Sequence, residues 1–163
     1  MFEAALLDQA RALLDAARAK HIRIVTAESC TGGLIAGLLT EIPGSSDVVE
    51  RGFVTYSNEA KEDALGVPAE LLRKYGAVSD QVARAMADGA LRHARAQLAI
   101  AVTGIAGPGG GSVEKPVGLV YIALADGHEI SSYEFRFGDI GRSNVRIATV
   151  QEAVKLLSAA VSC

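Results

Sequence analysis

The sequence lacks a long apolar run. No stretch approaches the roughly 18 residues that a membrane span requires, so no membrane partner is expected. Cysteine is nearly absent: Cys30 and Cys163 are the only two. That is too few for a disulfide framework, and a reducing cytoplasm is the simplest reading. Positive charge is not concentrated anywhere. The net charge is −3, with acids and bases mixed along the chain. Without a basic stripe, nucleic acid is not an expected partner. The three histidines, His21, His93 and His128, stand alone. None has a metal-ligand spacing to a neighbour, so no catalytic metal is expected. The first eight residues carry acids early and read as an amphipathic helix, not as a secretory leader.

What is present fits one domain. A chain of 163 residues, half of them hydrophobic, is long enough to bury a sizeable core. Apolar residues at three- and four-residue steps (Ala10, Leu13, Leu14, Ala17) predict a helix over 3–20. The β-branched run 22–27 predicts a strand, a polar turn follows, and Leu34 begins a buried helix. Pro43-Gly44 breaks that helix, and Ser45 or Ser46 caps a brief turn. A second strand is expected over 52–57, then a helix capped by Asn58 and closed by Gly66. Helices over 68–75 and from a Ser79 cap to 95 come next. The wholly apolar run 98–103 suits a central strand covered on both faces. Strands over 117–125 and 128–137, turning at Asp126-Gly127, form a hairpin, and a last helix covers about 142–161. Helix alternating with strand, then a hairpin, predicts a three-layer α/β/α sandwich with a mixed sheet.

Three polar turns sit at strand ends, where open α/β sheets bind ligands. Lys61 lies in the first turn of a helix. The positive helix terminus and partial burial would both favour a neutral amine, able to act as a general base. The plain alternative is a solvated surface lysine. Ser45 and Ser46 offer either a nucleophilic hydroxyl or simple turn caps. The turn Glu28-Ser29-Cys30-Thr31-Gly32-Gly33 leads into a helix, and its amides, with the Ser29 and Thr31 hydroxyls, suit a phosphate. No lysine follows Gly33, so it is not a nucleoside-triphosphate loop. Cys30 reads either as a thiol nucleophile or as a small buried residue. The loop Gly104–Gly111 holds five glycines in eight residues and can bring bare backbone to a ligand. Lys115 beyond it, and Arg142 and Arg146 four apart on the last helix, are further candidates for an anion.

Four segments in this order resemble the CinA C-terminal domain family: Thr26–Gly33, Arg51–Lys61, Gly76–Ser79, and Thr103–Pro108 continuing through Lys115–Gly118. The resemblance spans nearly the whole chain, and its characterised bacterial members are nicotinamide-nucleotide amidases. It implies one amidohydrolase domain over 1–163, with no metal and no cofactor. The implied reaction hydrolyses nicotinamide mononucleotide, a small-molecule substrate, to nicotinate mononucleotide and ammonia. It implies Ser46 as nucleophile, Lys61 as its base and Tyr56 as an assisting phenol. Ser29, Thr31, Gly32, Ser45, Thr103 and Gly104 would line the substrate pocket, and Arg142 would meet the phosphate. The Gly138–Arg142 segment is two residues longer than the family's Gly-Asp-Arg, which leaves Arg146 as an alternative to Arg142. A homodimer or higher oligomer is implied as well. The competing reading is a non-catalytic nucleotide-binding module of the same fold.

Overall fold

The computed structural model describes residues 1–163. Its elements are α1 (Ala4–Ala19), β1 (Ile24–Glu28), α2 (Leu34–Thr40), β2 (Val49–Val54), α3 (Asn58–Leu65), α4 (Ala69–Tyr75), α5 (Asp80–Arg92), β3 (Leu98–Gly104), β4 (Leu119–Ala125), β5 (Ile130–Arg136) and α6 (Arg142–Ser162). A single 3-10 turn, Ser45–Asp47, precedes β2. The five strands form one sheet in the order β2-β1-β3-β4-β5. β1 pairs parallel with both β2 and β3, whereas β3-β4-β5 run antiparallel. The mixed sheet and the α/β layering are those the sequence pattern predicts.

Alternation along the strands divides the core. Ile24, Leu98, Ile100, Val102, Val120 and Ile122 face α1, α2 and α6. Val25, Ala27, Ala99, Ala101, Ala123 and Ala125 face α5 and its neighbours. The second face is built largely from alanine, and α5 answers with Ala83, Ala87 and Ala90. Small residues on both sides let the helix lie close to the sheet. The central strands are buried along almost their whole length, as a strand covered on both faces must be.

Two departures from the sequence expectation bear on the site. The second strand starts and ends three residues earlier than 52–57, because its pairing with β1 runs from Ile24↔Val49 to Glu28↔Val54. Thr55 and Tyr56 are thereby released from the strand end. The cap of α3 is Ser57, whose hydroxyl accepts from the Ala60 amide at 3.0 Å; Asn58 is the first helical residue. Ser79 caps α5 as expected, accepting from the Val82 amide.

The parallel arrangement positions the site. β1, β2 and β3 end on one edge of the sheet, at Ser29, Thr55 and Gly104. The turn Ser45–Asp47 precedes β2 and therefore lies at the other end, about 16 Å away along the strand direction.

Gly89 on α5 is where that helix meets α3. A Cβ there would lie 1.9 Å from the Leu65 carbonyl oxygen. Alanine normally favours a helix by about 1 kcal/mol over glycine, but this collision outweighs it. Gly89→Ala is expected to destabilise the fold by about 2 kcal/mol, read as a lower midpoint in urea denaturation.

Candidate active site

The turn after β1 is built on a carboxylate. Glu28 is the last residue of the strand and is fully buried. Its Oε2 accepts from the Thr31 hydroxyl at 2.6 Å and from the Gly33 and Ile35 amides at 3.1 and 3.0 Å. Its Oε1 accepts from the Ala36 amide at 2.9 Å. Helix starts leave free N–H groups, and the residue before α2 is Gly33, in the left-handed region and without a capping side chain. Glu28 supplies that cap from the strand. The Gly33 amide and those that open α2 are therefore already satisfied, by a carboxylate that would repel a phosphate. Thr31 is wholly buried and its hydroxyl is committed to Glu28, so it does not line the pocket, and neither does Gly32.

Ser29 stands at the head of this turn. Its amide donates to the Val102 carbonyl of β3, and its carbonyl accepts from the Gly32 amide, both at 3.0 Å. The next two amides, of Cys30 and Thr31, have no acceptor within the chain. The Cys30 thiol is buried, and burial pushes its pKa up to about 12. It stays protonated at any physiological pH, which removes it as a thiolate nucleophile.

Lys61 approaches from α3. It is the largest fully buried side chain in the protein. Its Nζ lies 3.0 Å from the Ser29 hydroxyl, 2.7 Å from the Thr55 carbonyl and 3.4 Å from the Tyr56 carbonyl. Burial brings its pKa down to about 8. These three acceptors match the three donors of the ammonium; a neutral amine keeps two N–H bonds for the carbonyls and has a lone pair for the Ser29 O–H.

The pocket above this pair holds about 270 Å³. Tyr56 and Arg142 form one side, and Thr103, Gly104 and the glycine loop form the other. Arg142 donates to the Gly107 carbonyl and to the Tyr56 hydroxyl, both at 2.8 Å. The Thr103 hydroxyl donates to the Ala77 carbonyl at 2.8 Å, which ties the loop before α5 to the pocket wall. A larger groove of about 410 Å³ between β5 and the carboxyl half of α6 is mostly apolar and contains no basic side chain.

Several sequence candidates lie elsewhere. Ser45 and Ser46 belong to the turn at the far end of β2, so within the chain neither can meet Lys61. The pairing of Ser46 with Lys61 is corrected: the hydroxyl against Lys61 is that of Ser29. Lys115 donates to the Tyr75 carbonyl and supports the turn at Gly76. Of the two arginines, Arg142 reaches the pocket, whereas Arg146 donates to the Cys30 and Thr31 carbonyls. Sequence reasoning missed Glu28 as the anchor of the turn. The available signal was an acid ending a strand just before a glycine-started helix that lacks its own cap.

Comparison with known proteins places these features in a family. The model of the CinA C-terminal domain matches residues 7–161. A CinA-like protein of Syntrophus aciditrophicus is 52% identical over 85% of this chain and 33% of its own length. The chain thus spans about a third of the curated relatives it matches. Among solved structures, the competence/damage inducible protein CihA from Agrobacterium tumefaciens is 53% identical with a TM-score of 0.96, covering 100% of this chain and 99% of that one. A CinA superfamily protein from Klebsiella pneumoniae is 34% identical, with a TM-score of 0.92, over 96% and 98% of the two chains.

The buried lysine has a pH signature. Unfolded, Lys61 keeps its proton up to its ordinary pKa of 10.5; folded, it loses it near 8. The unfolded state binds more protons between these values, so stability from this group rises with pH across that window. Relative to Lys61→Met, the wild type should gain about 2 kcal/mol between pH 7 and pH 9.5, measured by denaturant unfolding of both proteins at the two pH values.

Proposed function

The chain belongs to the CinA C-terminal domain family, and we propose that it is a metal-independent serine amidase acting on the carboxamide of nicotinamide mononucleotide. The observation that carries this reading is the 3.0 Å contact between Lys61 Nζ and Ser29 Oγ. A nucleophile needs an adjacent base whose pKa lies near the working pH. Lys61, drawn down to about 8 by burial, meets that need. At pH 7 roughly a tenth of it is neutral.

In this reading Ser29 Oγ attacks the carboxamide carbon while its proton passes to Lys61 Nζ. The carbonyl oxygen becomes an oxyanion beside the Cys30 amide, a donor at the pocket wall with no backbone acceptor of its own. Collapse of the intermediate breaks the C–N bond, and Lys61 returns its proton to the departing nitrogen, which leaves as ammonia. The product of this half is a Ser29 ester. Water then attacks the ester, again giving a proton to Lys61. That proton goes back to Ser29 as the acid departs. Arg142, held at the pocket mouth by Gly107 and Tyr56, is the cation available to the substrate phosphate.

The test is ammonia release from nicotinamide mononucleotide by purified protein with a chelator present. Ser29→Ala should lower turnover about 10³-fold or more, and Lys61→Ala roughly 10²-fold or more. Ser46→Ala should stay within about twofold of the wild type, as expected for a surface residue far from the chemistry. Undiminished ammonia release by Ser29→Ala would remove the assignment. Nucleotide binding without ammonia release by the wild type would leave the non-catalytic module standing.

The rate should follow the lysine. Only the neutral amine accepts the proton, so kcat/KM should climb about tenfold per pH unit below pH 8 and level off above it. A profile flat from pH 6 to 9 would show that Lys61 is not the base.

A further inference from the structure

The family resemblance implies Tyr56 as an assisting phenol, but the contacts of its hydroxyl lead away from the reacting pair. That hydroxyl has one hydrogen-bond partner in the chain, Arg142 Nη2 at 2.8 Å. The phenol oxygen is the acceptor there, because a guanidinium only donates. The Ser29 hydroxyl and Lys61 Nζ bond to each other, and Nζ bonds to the Thr55 and Tyr56 carbonyls. The Tyr56 phenol takes no part in that group.

Arg142 is the first residue of α6, exposed, and part of the pocket lining. A long exposed arginine has much rotamer freedom to lose, and an anion that must immobilise it binds more weakly for that reason. Here two acceptors hold it beforehand. Nη1 is bonded to the Gly107 carbonyl of the glycine loop and Nη2 to the phenol, both at 2.8 Å. One contact alone would let the guanidinium pivot; two, on different nitrogens and from different segments, fix its plane. Both acceptors are neutral. Arg142 makes no ion pair in the chain, and no Asp or Glu lines the pocket. A carboxylate in place of the phenol would cancel the charge that a phosphate needs. Each Nη keeps a second N–H, and Nε keeps its own, for an incoming anion.

We propose that the Tyr56 hydroxyl is a positioning group for Arg142, and that through this contact the pocket selects a nucleotide with a terminal phosphate over the same nucleoside without one. The inference rests on the reading of Arg142 as the phosphate contact of the proposed amidase. Tyr56 transfers no proton in this role. Gly107 cannot be released by a side-chain change: its anchor is a backbone carbonyl, and at φ +82° a Cβ would also lie 2.7 Å from Val117 Cγ1. Tyr56 is therefore the anchor that a substitution can remove. It is 58% exposed, so Tyr56→Phe deletes the hydroxyl, keeps the ring and leaves the core as it is.

The experiment compares wild type, Tyr56→Phe, Arg142→Met and the double variant in the full chain, with nicotinamide mononucleotide and nicotinamide riboside as substrates. Tyr56→Phe should raise KM for the mononucleotide about fivefold, the worth of one hydrogen bond. Its kcat should stay within about twofold, with the pH midpoint near 8 unmoved. The preference for mononucleotide over riboside, as a ratio of kcat/KM, should fall by the same factor. With Arg142→Met already in place, Tyr56→Phe should change KM by less than about twofold, because the two residues act as one unit. A kcat lowered about 10²-fold at unchanged KM would overturn the proposal and make the phenol a proton-transfer group. An equal rise in KM for the riboside would overturn it in favour of a contact with the nucleoside. Full additivity with Arg142→Met would overturn it, as would an unchanged KM. If the wild type releases no ammonia, calorimetry with the same two ligands makes the comparison. Mononucleotide binding weakened by Tyr56→Phe only while Arg142 is present would then remove the amidase reading and leave the positioning role standing. If the wild type binds neither ligand, both fall.

Discussion

A carboxylate buried at the end of a central strand holds this structure's chemistry in place. Burying an anion is costly unless every lone pair is used, and Glu28 uses its oxygens on three amides and a hydroxyl. In doing so it joins three levels of the architecture. It ends β1, it caps α2, and it pulls Thr31 inward while Ser29 is left at the pocket. The residues around Ser29 have little freedom left. A serine on such a turn is presented at a fixed point above the sheet, which is what a nucleophile requires.

The second buried charge-bearing group is of the opposite kind. Lys61 is paid no comparable compensation in ion pairs: no carboxylate stands within salt-bridge distance, and its partners are two carbonyls and a hydroxyl. An ammonium so placed gives up its proton more easily. Released from the end of β2, Thr55 and Tyr56 direct their carbonyls at Nζ, so the early end of that strand is part of the site. The two buried groups thus do different work from similar depths. One is an acceptor saturated by donors and is structural. The other is a donor short of charge compensation and is chemically poised.

Much of this was legible in the sequence. Periodicity and turn residues placed every helix and all five strands, and the strand-helix alternation before a hairpin gave the mixed sheet. Lys61, Tyr56, Thr103, Gly104 and Arg142 all come to one pocket. The serine was misplaced for a topological reason. Ser46 is implied by the family resemblance, and it stands close to Lys61 along the chain. Yet β1 and β2 are joined by a helix and lie parallel, so a turn that precedes β2 is at the opposite end from one that follows β1. Direction of strands, not distance in sequence, decides which hydroxyl meets the lysine. The second strand was read three residues late because its residues have no sharp local boundary; only pairing with β1 sets its ends. Whether Arg142 or Arg146 faces the pocket depends on where α6 begins, and a stretch with two glycines before it does not announce that point.

The three segments that meet at the pocket floor come from the ends of β1, β2 and β3, and a fourth comes from α6. Nothing shorter than nearly the whole chain contains them all. During synthesis, Ser29 and Lys61 emerge long before β3 and α6 exist to cover them. Until then the lysine is in water and keeps its proton. A nascent or truncated chain therefore carries the serine and the lysine as inert surface groups. The reactivity we propose for them arrives with the last helix, as a property of completion and not of any segment alone.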